Sequence, residues 1–231
     1  MSLLTTNTKL NKSLKDGYKS FGIHLAPYKL SGRNVCTSAS KGCSAACLFN
    51  AGYGAYDKVK TARINKTIRF WENKQLFLQT LISEVETQVR RCSKNGYIPT
   101  FRLNLTSDLP WETMRINGKN IMQMFPHVQF YDYCKNMKRM LRFLTGKFPK
   151  NYHLTFSRSE ENQSDCEIVA GCGGNVAAVF LDKLPETYMN RPVINGDIND
   201  LRFLDNKNVV VGLIAKGKKA KEDETGFVIK H

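Results

Sequence analysis

A chain of 231 residues that is 42% hydrophobic and 24% charged is long enough for one sizeable hydrophobic core, and this composition excludes a low-complexity polymer. Lys and Arg outnumber Asp and Glu by 35 to 20, and the net charge of +15 favours a polyanionic partner such as nucleic acid, with a generally basic surface as the alternative. No stretch approaches the roughly 18 apolar residues that a membrane helix needs, so no membrane association is expected.

Cysteine usage bears on the compartment. The chain has seven cysteines, an odd number, and it begins without the apolar run of a secretory signal peptide. These features predict a reducing cytoplasm, where clustered thiols bind metal or stay free instead of forming disulfides.

The predicted elements begin with a polar, lysine-rich segment over residues 1–17, which we expect to be a loose arm or a cap. Residues 18–26 predict a first strand that ends at Pro27. Apolar residues at spacings of three and four then predict one long helix over residues 57–91.

Strand-like and helix-like segments alternate beyond residue 99. The predicted strands cover residues 100–105, 127–133, 152–156, 175–181 and 209–214, the predicted helices cover 111–124 and 136–145, and 158–171 is helical in part at best. Such alternation indicates a parallel sheet. We expect a single α/β domain over residues 1–231, either a doubly wound sheet or, as we favour, a partial or six-unit parallel (β/α) barrel. A basic segment over residues 215–231 ends the chain.

The most informative motif is a glycine- and serine-rich loop that follows the first predicted strand and contains Cys36, Cys43 and Cys47. A short loop with three thiols can bind an iron–sulfur cluster and leave one iron open to another ligand. Zinc with a fourth ligand from elsewhere is an alternative, because thiolates suit both metals. Three unrelated buried thiols are the remaining alternative.

This loop, with strand–helix units after it, resembles the cysteine loop of the radical SAM superfamily. A closer resemblance, to the bacteriophage gene product 88 domain family, extends over residues 34–217. Its motifs are the cysteine loop and residues 51–54, 101–108, 128–133, 195–205 and 211–217. The first resemblance implies a 4Fe-4S cluster on the three cysteines and S-adenosylmethionine as the second cofactor. The second implies a phage origin, and hence the cytoplasm of the host cell.

Polar side chains at the ends of other predicted strands are candidates for the same site, since parallel α/β sheets gather their chemistry where strands end. Under the radical SAM resemblance, Ser107 and Asp108 would bind the ribose of S-adenosylmethionine, and Asn195 with Asp197 is the second choice. Asp108 has a structural alternative as the N-cap of the helix predicted from residue 111.

Two further strands carry side chains of interest. Tyr133 could supply a hydrogen atom near a radical site and Cys134 a fourth metal ligand, although both residue types are also common in cores. Arg102 and Asn104 alternate with apolar residues, which predicts either a polar face directed into the barrel or an exposed edge strand.

Basic residues suggest where a nucleic acid would bind. Lys216, Lys218 and Lys219 form a basic run, and Arg158 lies between Ser157 and Ser159, where it could reach a phosphate. A solvated surface is the alternative explanation for the lysine run.

Together these features predict an iron–sulfur enzyme, resembling radical SAM enzymes, that acts on a nucleic-acid or nucleotide substrate. One alternative is a metal-independent base-exchange or transferase enzyme in which Asp108 or Asp197 is the nucleophile or base. Another is a zinc-stapled nucleic-acid-binding protein without catalysis.

Overall fold

The structure, a computed structural model, describes residues 2–47, 49 and 52–230, with only the backbone of Tyr53 and Ala55. Its described part contains a nine-stranded, mostly parallel sheet with helices packed against it, which confirms the predicted α/β class. Ala51, in the motif over residues 51–54, and His231, at the end of the predicted basic segment, lie outside the described residues.

The strands pair in the order β1-β2-β3-β4-β5-β8-β7-β6, with β9 added beside β5. Their bounds are β1 (Tyr18–Gly22), β2 (Ile98–Arg102), β3 (Gln129–Cys134), β4 (Tyr152–Ser157), β5 (Val176–Phe180), β6 (Thr187–Tyr188), β7 (Arg191–Asn195), β8 (Val210–Ile214) and β9 (Val228–Ile229). The pairing of β6 with β7 is antiparallel, and the other strand pairings are parallel.

A row of phenylalanines sets the register of the first three strands. Phe21 pairs with Phe101, and Phe101 pairs with Phe130. All three side chains are buried, and their rings stack with centroids 5.5 and 5.6 Å apart. Because a slip of one residue would turn a whole strand's side chains to the opposite face, burial of this row favours one register.

The helices lie between the strands and before β1. Their bounds are α1 (Thr8–Asn11), α2 (Tyr28–Ser31), α3 (Lys41–Ala45), α4 (Asp57–Glu72), α5 (Lys74–Lys94), α6 (Ile121–Met124), α7 (Met137–Leu144), α8 (Gln163–Gly171) and α9 (Lys218–Lys221). Short 3-10 helices lie at Lys12–Asp16, Gly52–Ala55, Trp111–Thr113 and Arg202–Leu204. In the described residues, no helix has the length and apolar character needed to cross a membrane.

Two predicted helices differ from the structure. The helix predicted over residues 57–91 is divided at Asn73, whose backbone is not helical (φ −144, ψ 78) and whose side chain accepts a hydrogen bond from Leu76 N at 2.9 Å to start α5. The helix predicted over 111–124 is largely a turn, because Asn117 and Gly118 have left-handed backbone conformations (φ 49 and 77).

The N-terminal segment, predicted as a loose arm or a cap, is packed against the sheet as a cap. Leu3 and Leu4 are buried, and their backbone N–H groups each donate to the carboxylate of Glu84 at 2.8 Å. Thr5 forms an antiparallel bridge with Gly22, at the end of β1. This edge of the sheet is therefore covered.

The chain of paired strands is open, and the predicted barrel is not confirmed. In the part of the chain that the structure describes, no strand pairing joins β1 to β6 or β7. Side chains join the segment before β1 to the loop after β7 instead. Lys12 Nζ donates to Asp197 O at 2.7 Å, and Asn199 Nδ2 donates to Asp16 Oδ2 at 3.1 Å.

Asp200, in the same loop, is the centre of a buried charge cluster. Its carboxylate accepts hydrogen bonds from Arg102 at 3.0 Å and from the Tyr131 hydroxyl at 3.4 Å, and it lies 3.1 Å from Lys9 Nζ. Burial alone would raise the pKa of Asp200, but Arg102 and Lys9 outweigh burial and lower it to about 2. One side chain thus links α1, β2 and β3 to the loop after β7.

Replacing Asp200 should therefore destabilise the whole fold. We expect Asp200→Asn to lower the free energy of unfolding by about 3 kcal/mol, because it leaves buried cations without their counter-charge. Urea denaturation followed by circular dichroism measures the change. Asp57→Asn is the matched control, since the Asp57 side chain is 97% exposed and forms a surface pair with Lys60 at 3.5 Å. The control should change stability by less than about 0.5 kcal/mol, and equal losses in the two variants would contradict the central role of Asp200.

Candidate functional site

The three predicted cysteines lie on a segment that crosses the carboxyl edge of the sheet, here named the arch (residues 26–47). Near its start, Ala26 N donates to Thr67 Oγ1 of α4 at 2.8 Å. Beyond β2, Val35 O accepts a hydrogen bond from Asp108 N at 2.8 Å, and Cys36 Sγ donates to Thr106 O at 3.7 Å. These contacts place Cys36 above the end of β2.

Glu160, which follows β4, holds the other end of the arch. Its carboxylate accepts hydrogen bonds from Gly42 N at 2.6 Å and from Ser40 Oγ at 2.7 Å. Ser40 Oγ in turn accepts from Cys43 N at 3.2 Å and caps α3. Glu160 therefore positions the first turn of α3, which contains Cys43.

The C-terminal segment packs tightly against this turn. A Cβ atom at Gly42 would clash with Thr225 Oγ1 and would lie 2.6 Å from Phe227 Cβ, so glycine is required by the close approach. Phe227 precedes β9, which pairs with β5 at Val179 and Phe180, beyond the two residues of β5 that pair with β4. Strand β9 thus supports α3, the helix that contains Cys43.

The thiols of the arch influence one another electrostatically. Burial, together with the thiol of Cys47, the carboxylate of Asp108 and the thiol of Cys43, raises the pKa of Cys36 to about 12. Burial also raises the pKa of Cys47, and the Cys43 thiol adds to that rise. Cys36 and Cys47 are therefore neutral thiols near pH 7.

The three thiols do not have the arrangement of a loaded metal site. Among residues 2–47, 49 and 52–230, no three His, Cys, Asp or Glu side chains converge closely enough to hold a metal ion. Cys134, the predicted fourth ligand, is buried and has other partners, since its Sγ donates to Asn136 O at 3.4 Å and accepts from Arg139 Nη1 at 3.6 Å. Binding of a metal would require the arch thiols to move together.

Two cations border the thiols, and sequence reasoning missed both. Lys135, directly after β3, donates to Ser157 Oγ at 2.7 Å, and its charge favours the thiolate forms of Cys36 and Cys47. Arg63 of α4, which is buried, also favours the thiolate of Cys47. Lys135 has a detectable sequence signal, because it follows a predicted strand as Asp108 does. Arg63 lies within a helix and has none.

Ser107 lies on a tightly bonded turn after β2. Its hydroxyl donates to Asn104 Oδ1 at 2.7 Å, and Asn104 N donates to the buried carboxylate of Asp132 at 2.7 Å. Burial raises the pKa of Asp132 to about 7. Asn104 therefore organises this turn and does not extend the polar face of Arg102. Neighbouring residues of β3 show this, because Tyr131 bonds Asp200 together with Arg102, whereas Asp132, on the opposite face, bonds Asn104.

Asp108 lies close to Cys36 but is also engaged structurally. Its carboxylate accepts hydrogen bonds from Arg139 Nη1 at 2.7 Å and from Lys135 N at 3.1 Å. It does not serve as the N-cap predicted for the following helix, because the 3-10 helix Trp111–Thr113 has no side-chain cap.

Asn195 and Asp197 lie at the end of β7, in a different neighbourhood. Asp197 accepts hydrogen bonds from Ile214 N at 3.0 Å and from Lys216 Nζ at 2.5 Å, and Asn195 Oδ1 accepts from Asp197 N at 2.9 Å. Burial acts to raise the pKa of Asp197, but these hydrogen bonds outweigh it and lower the pKa. In the described part of the chain, the hydrogen bonds of this pair join the end of β7 to β8, to Lys216 and to Lys12, not to the arch.

Tyr133 has an unused polar group. Its ring lies 4.4 Å from the Arg102 guanidinium and 5.6 Å from Lys9 Nζ. Its hydroxyl is buried and has no hydrogen-bond partner among the described residues. A buried hydroxyl without a partner costs stability, so this tyrosine differs from Ser107 and Asp108, whose polar groups are bonded.

The residues predicted to contact nucleic acid have differing surroundings. Arg158 Nη1 donates to Gly226 O at 2.7 Å and to Phe227 O at 3.1 Å, and it thereby holds the turn before β9. Lys216 pairs with Asp197, and Lys218 lies 3.8 Å from Glu222. Lys219 is exposed.

Comparison with known proteins identifies the family. The family model described as Gene product 88 matches residues 1–231, so the chain belongs to the gene product 88 family. No curated protein and no solved structure matches the chain. The predicted resemblance to this bacteriophage family is confirmed, whereas the radical SAM resemblance receives no support from these comparisons.

The role of Glu160 is testable through thiol reactivity. We expect Glu160→Ala to loosen α3 and to increase the rate at which Cys43 reacts with a disulfide reagent by about tenfold, because charged hydrogen bonds contribute roughly 1.5–3 kcal/mol. Stopped-flow absorbance measures the rate in a Cys172→Ala background, which removes an exposed thiol. Glu161→Ala, an exposed neighbour, should leave the rate unchanged. Similar acceleration in both variants would contradict the proposed clamp.

Proposed function

We propose that this member of the gene product 88 family is an iron–sulfur enzyme that binds its cluster with Cys36, Cys43 and Cys47. The observation that supports the proposal most is that one short segment, the arch, contains three thiols close enough to influence one another electrostatically at the carboxyl edge of a parallel sheet. α/β enzymes hold their sites at that edge. We further propose chemistry like that of radical SAM enzymes, on a nucleic-acid or nucleotide substrate.

The donor set fits such a cluster. Three thiols can ligate three irons of a four-iron cluster and leave the fourth for another ligand. Ligation requires thiolates, and the charges of Arg63 and Lys135 favour that form. Convergence of the Sγ atoms would accompany loading.

A bound cluster would supply one electron, taken from an external one-electron reductant, to break a carbon–sulfur bond of S-adenosylmethionine. That chemistry would yield methionine and a carbon radical able to take a hydrogen atom from the substrate. In this scheme Ser107 and Asp108 contact the ribose, since a carboxylate keeps lone pairs beyond the two hydrogen bonds that Asp108 accepts.

The other candidates have subsidiary parts in this scheme. The unpartnered hydroxyl of Tyr133 suits a donor of a hydrogen atom or a proton. Asn195 and Asp197 are weaker candidates, because their hydrogen bonds involve β7 and β8. The net charge of +15 supports a polyanionic substrate.

Metal analysis of the purified protein tests the proposal. The chain, purified without oxygen and reconstituted, should contain about four iron and four sulfide per molecule and absorb visible light. Cys43→Ala should lose nearly all of both. Cys92→Ala is the control, because Cys92 is a buried thiol of α5 outside the arch, and it should retain them.

The failures of this experiment are informative. Absence of iron after reconstitution, or equal loss in both variants, would overturn the proposal. Zinc without iron would favour the zinc-stapled binding protein. A colourless, metal-free protein with activity that survives Cys43→Ala would favour the metal-independent transferase.

Proton release gives a separate prediction. Because the pKa of Cys36 is about 12 and that of Cys47 is raised, metal binding at pH 7.5 must displace protons from both thiols. Titration with Zn²⁺ as the probe, in buffers of different ionisation enthalpy, should show release of about two protons or more. Affinity should therefore rise steeply with pH. Release of fewer than about 0.5 protons would show that these thiols do not bind the metal.

A further inference from the structure

The segment that contains the three cysteines has an unusual charge. Between Asp16 and Asp57 the chain contains no Asp or Glu at all. The same stretch contains four cations, Lys19 in β1 and Lys29, Arg33 and Lys41 in the arch. The arch is thus a purely cationic segment in a chain whose overall composition is mixed.

The fold places the cations of the arch on the outer side of the site. Lys29, Arg33 and Lys41 are exposed, while Val35 and Ser40 between them are buried and face the sheet. In the described part of the chain, none of the three cations forms an ion pair. Two cations of the C-terminal segment differ from them, because Lys216 and Lys218 each have a carboxylate partner.

Exposed tyrosines accompany the cations. Tyr28 is 63% exposed, and it opens α2 directly before Lys29. Tyr56 is 64% exposed and precedes α4, against which α2 packs. Exposed aromatic rings among unpaired cations are the pattern by which proteins bind single-stranded nucleic acid, with bases stacked on rings and phosphates on the cations.

We propose that the outer face of the arch binds single-stranded nucleic acid, with phosphates on Lys29, Arg33 and Lys41 and a base stacked on Tyr28. The cysteines proposed for iron–sulfur chemistry belong to the same arch. Binding at this face is independent of that proposed function, but its role in delivering a substrate rests on it. A single strand is favoured over a duplex because its bases are free to stack on an exposed ring, whereas bases in a duplex must first be unstacked from each other.

Two triple variants with equal loss of charge test the proposal. One changes Lys29, Arg33 and Lys41 to Gln, and the other changes Lys218, Lys219 and Lys221 to Gln, which are exposed lysines of α9. The probe is a fluorescein-labelled oligo(dT) of about 20 nucleotides, a length that exceeds the site of a single binding domain. Fluorescence anisotropy measures Kd between roughly 50 and 200 mM salt.

The arch variant should weaken binding at least about tenfold and reduce the salt slope by about two, since each phosphate contact on a single strand contributes about 0.7 to the slope. The α9 variant tests the competing site, because Lys218 and Lys219 belong to the lysine run that the sequence predicts to contact nucleic acid, and under the present proposal it should bind like the wild type. Tyr28→Ala should weaken binding by about tenfold through lost stacking, and Tyr28→Phe, which keeps the ring, should not.

Several results would overturn the inference. The first is that the wild-type protein does not bind the probe. The second is that the two triple variants weaken binding equally, or that only the α9 variant weakens it. The third is that poly-glutamate binds as tightly as the probe, which would indicate an acidic polypeptide as the partner.

Iron content measured on the same samples separates the two proposals. An arch variant that keeps its iron and loses the oligonucleotide supports the inference, and a wild-type protein without iron that still binds through the arch contradicts only the enzyme proposal.

Discussion

The fold depends on a buried charge cluster on one face of the open parallel sheet. At its centre, the carboxylate of Asp200 pairs with Arg102 and Lys9. Arg102 and Lys9 would be unpaired cations in a buried space without it. The loop that contains Asp200 also places Phe203 against Tyr18 and Tyr131, with ring centroids 5.7 and 5.5 Å apart. A charge cluster and two aromatic contacts thus join the first strands of the sheet to the loop after β7, where a closed barrel would have strand pairing.

The arch in turn depends on the end of the chain. Strand β9 pairs with the end of β5 that β4 does not reach, and this brings Phe227 against Gly42 of α3. Arg158 secures the turn by donating to two carbonyl groups before β9. A residue that the sequence suggests as a phosphate ligand therefore has a structural contribution to the cysteine site, because its hydrogen bonds are already directed at the backbone.

The sequence predicts the class and most of the strands, because buried residues such as Phe101 and Phe130 recur in segments of strand length. It does not predict the break at Asn73, since asparagine is tolerated inside helices and is recognised as a cap only once the chain direction changes. Nor could it find the pairing of Glu160 with Gly42, because the two residues are 118 positions apart and only the parallel sheet brings them together. The sequence does predict Cys36 and Cys47 as site residues, because three cysteines in one short loop form a local pattern.

The strand-end residues show why polarity alone does not identify a catalytic group. Asp108 and Asp197 occupy the positions at which catalytic carboxylates occur in α/β proteins, and both are engaged by a cation and a backbone N–H group. The thiols of Cys36 and Cys47 differ, because burial keeps them protonated, while Lys135 favours the thiolate of both and Arg63 and the backbone at Phe49 favour the thiolate of Cys47. A metal that binds these thiols must displace their protons, and the charges of Lys135 and Arg63 reduce the cost of forming the thiolates. We expect chemistry at the arch because its thiols are available as ligands, whereas the carboxylates of Asp108 and Asp197 are already paired, and the position of the residues matters less than this.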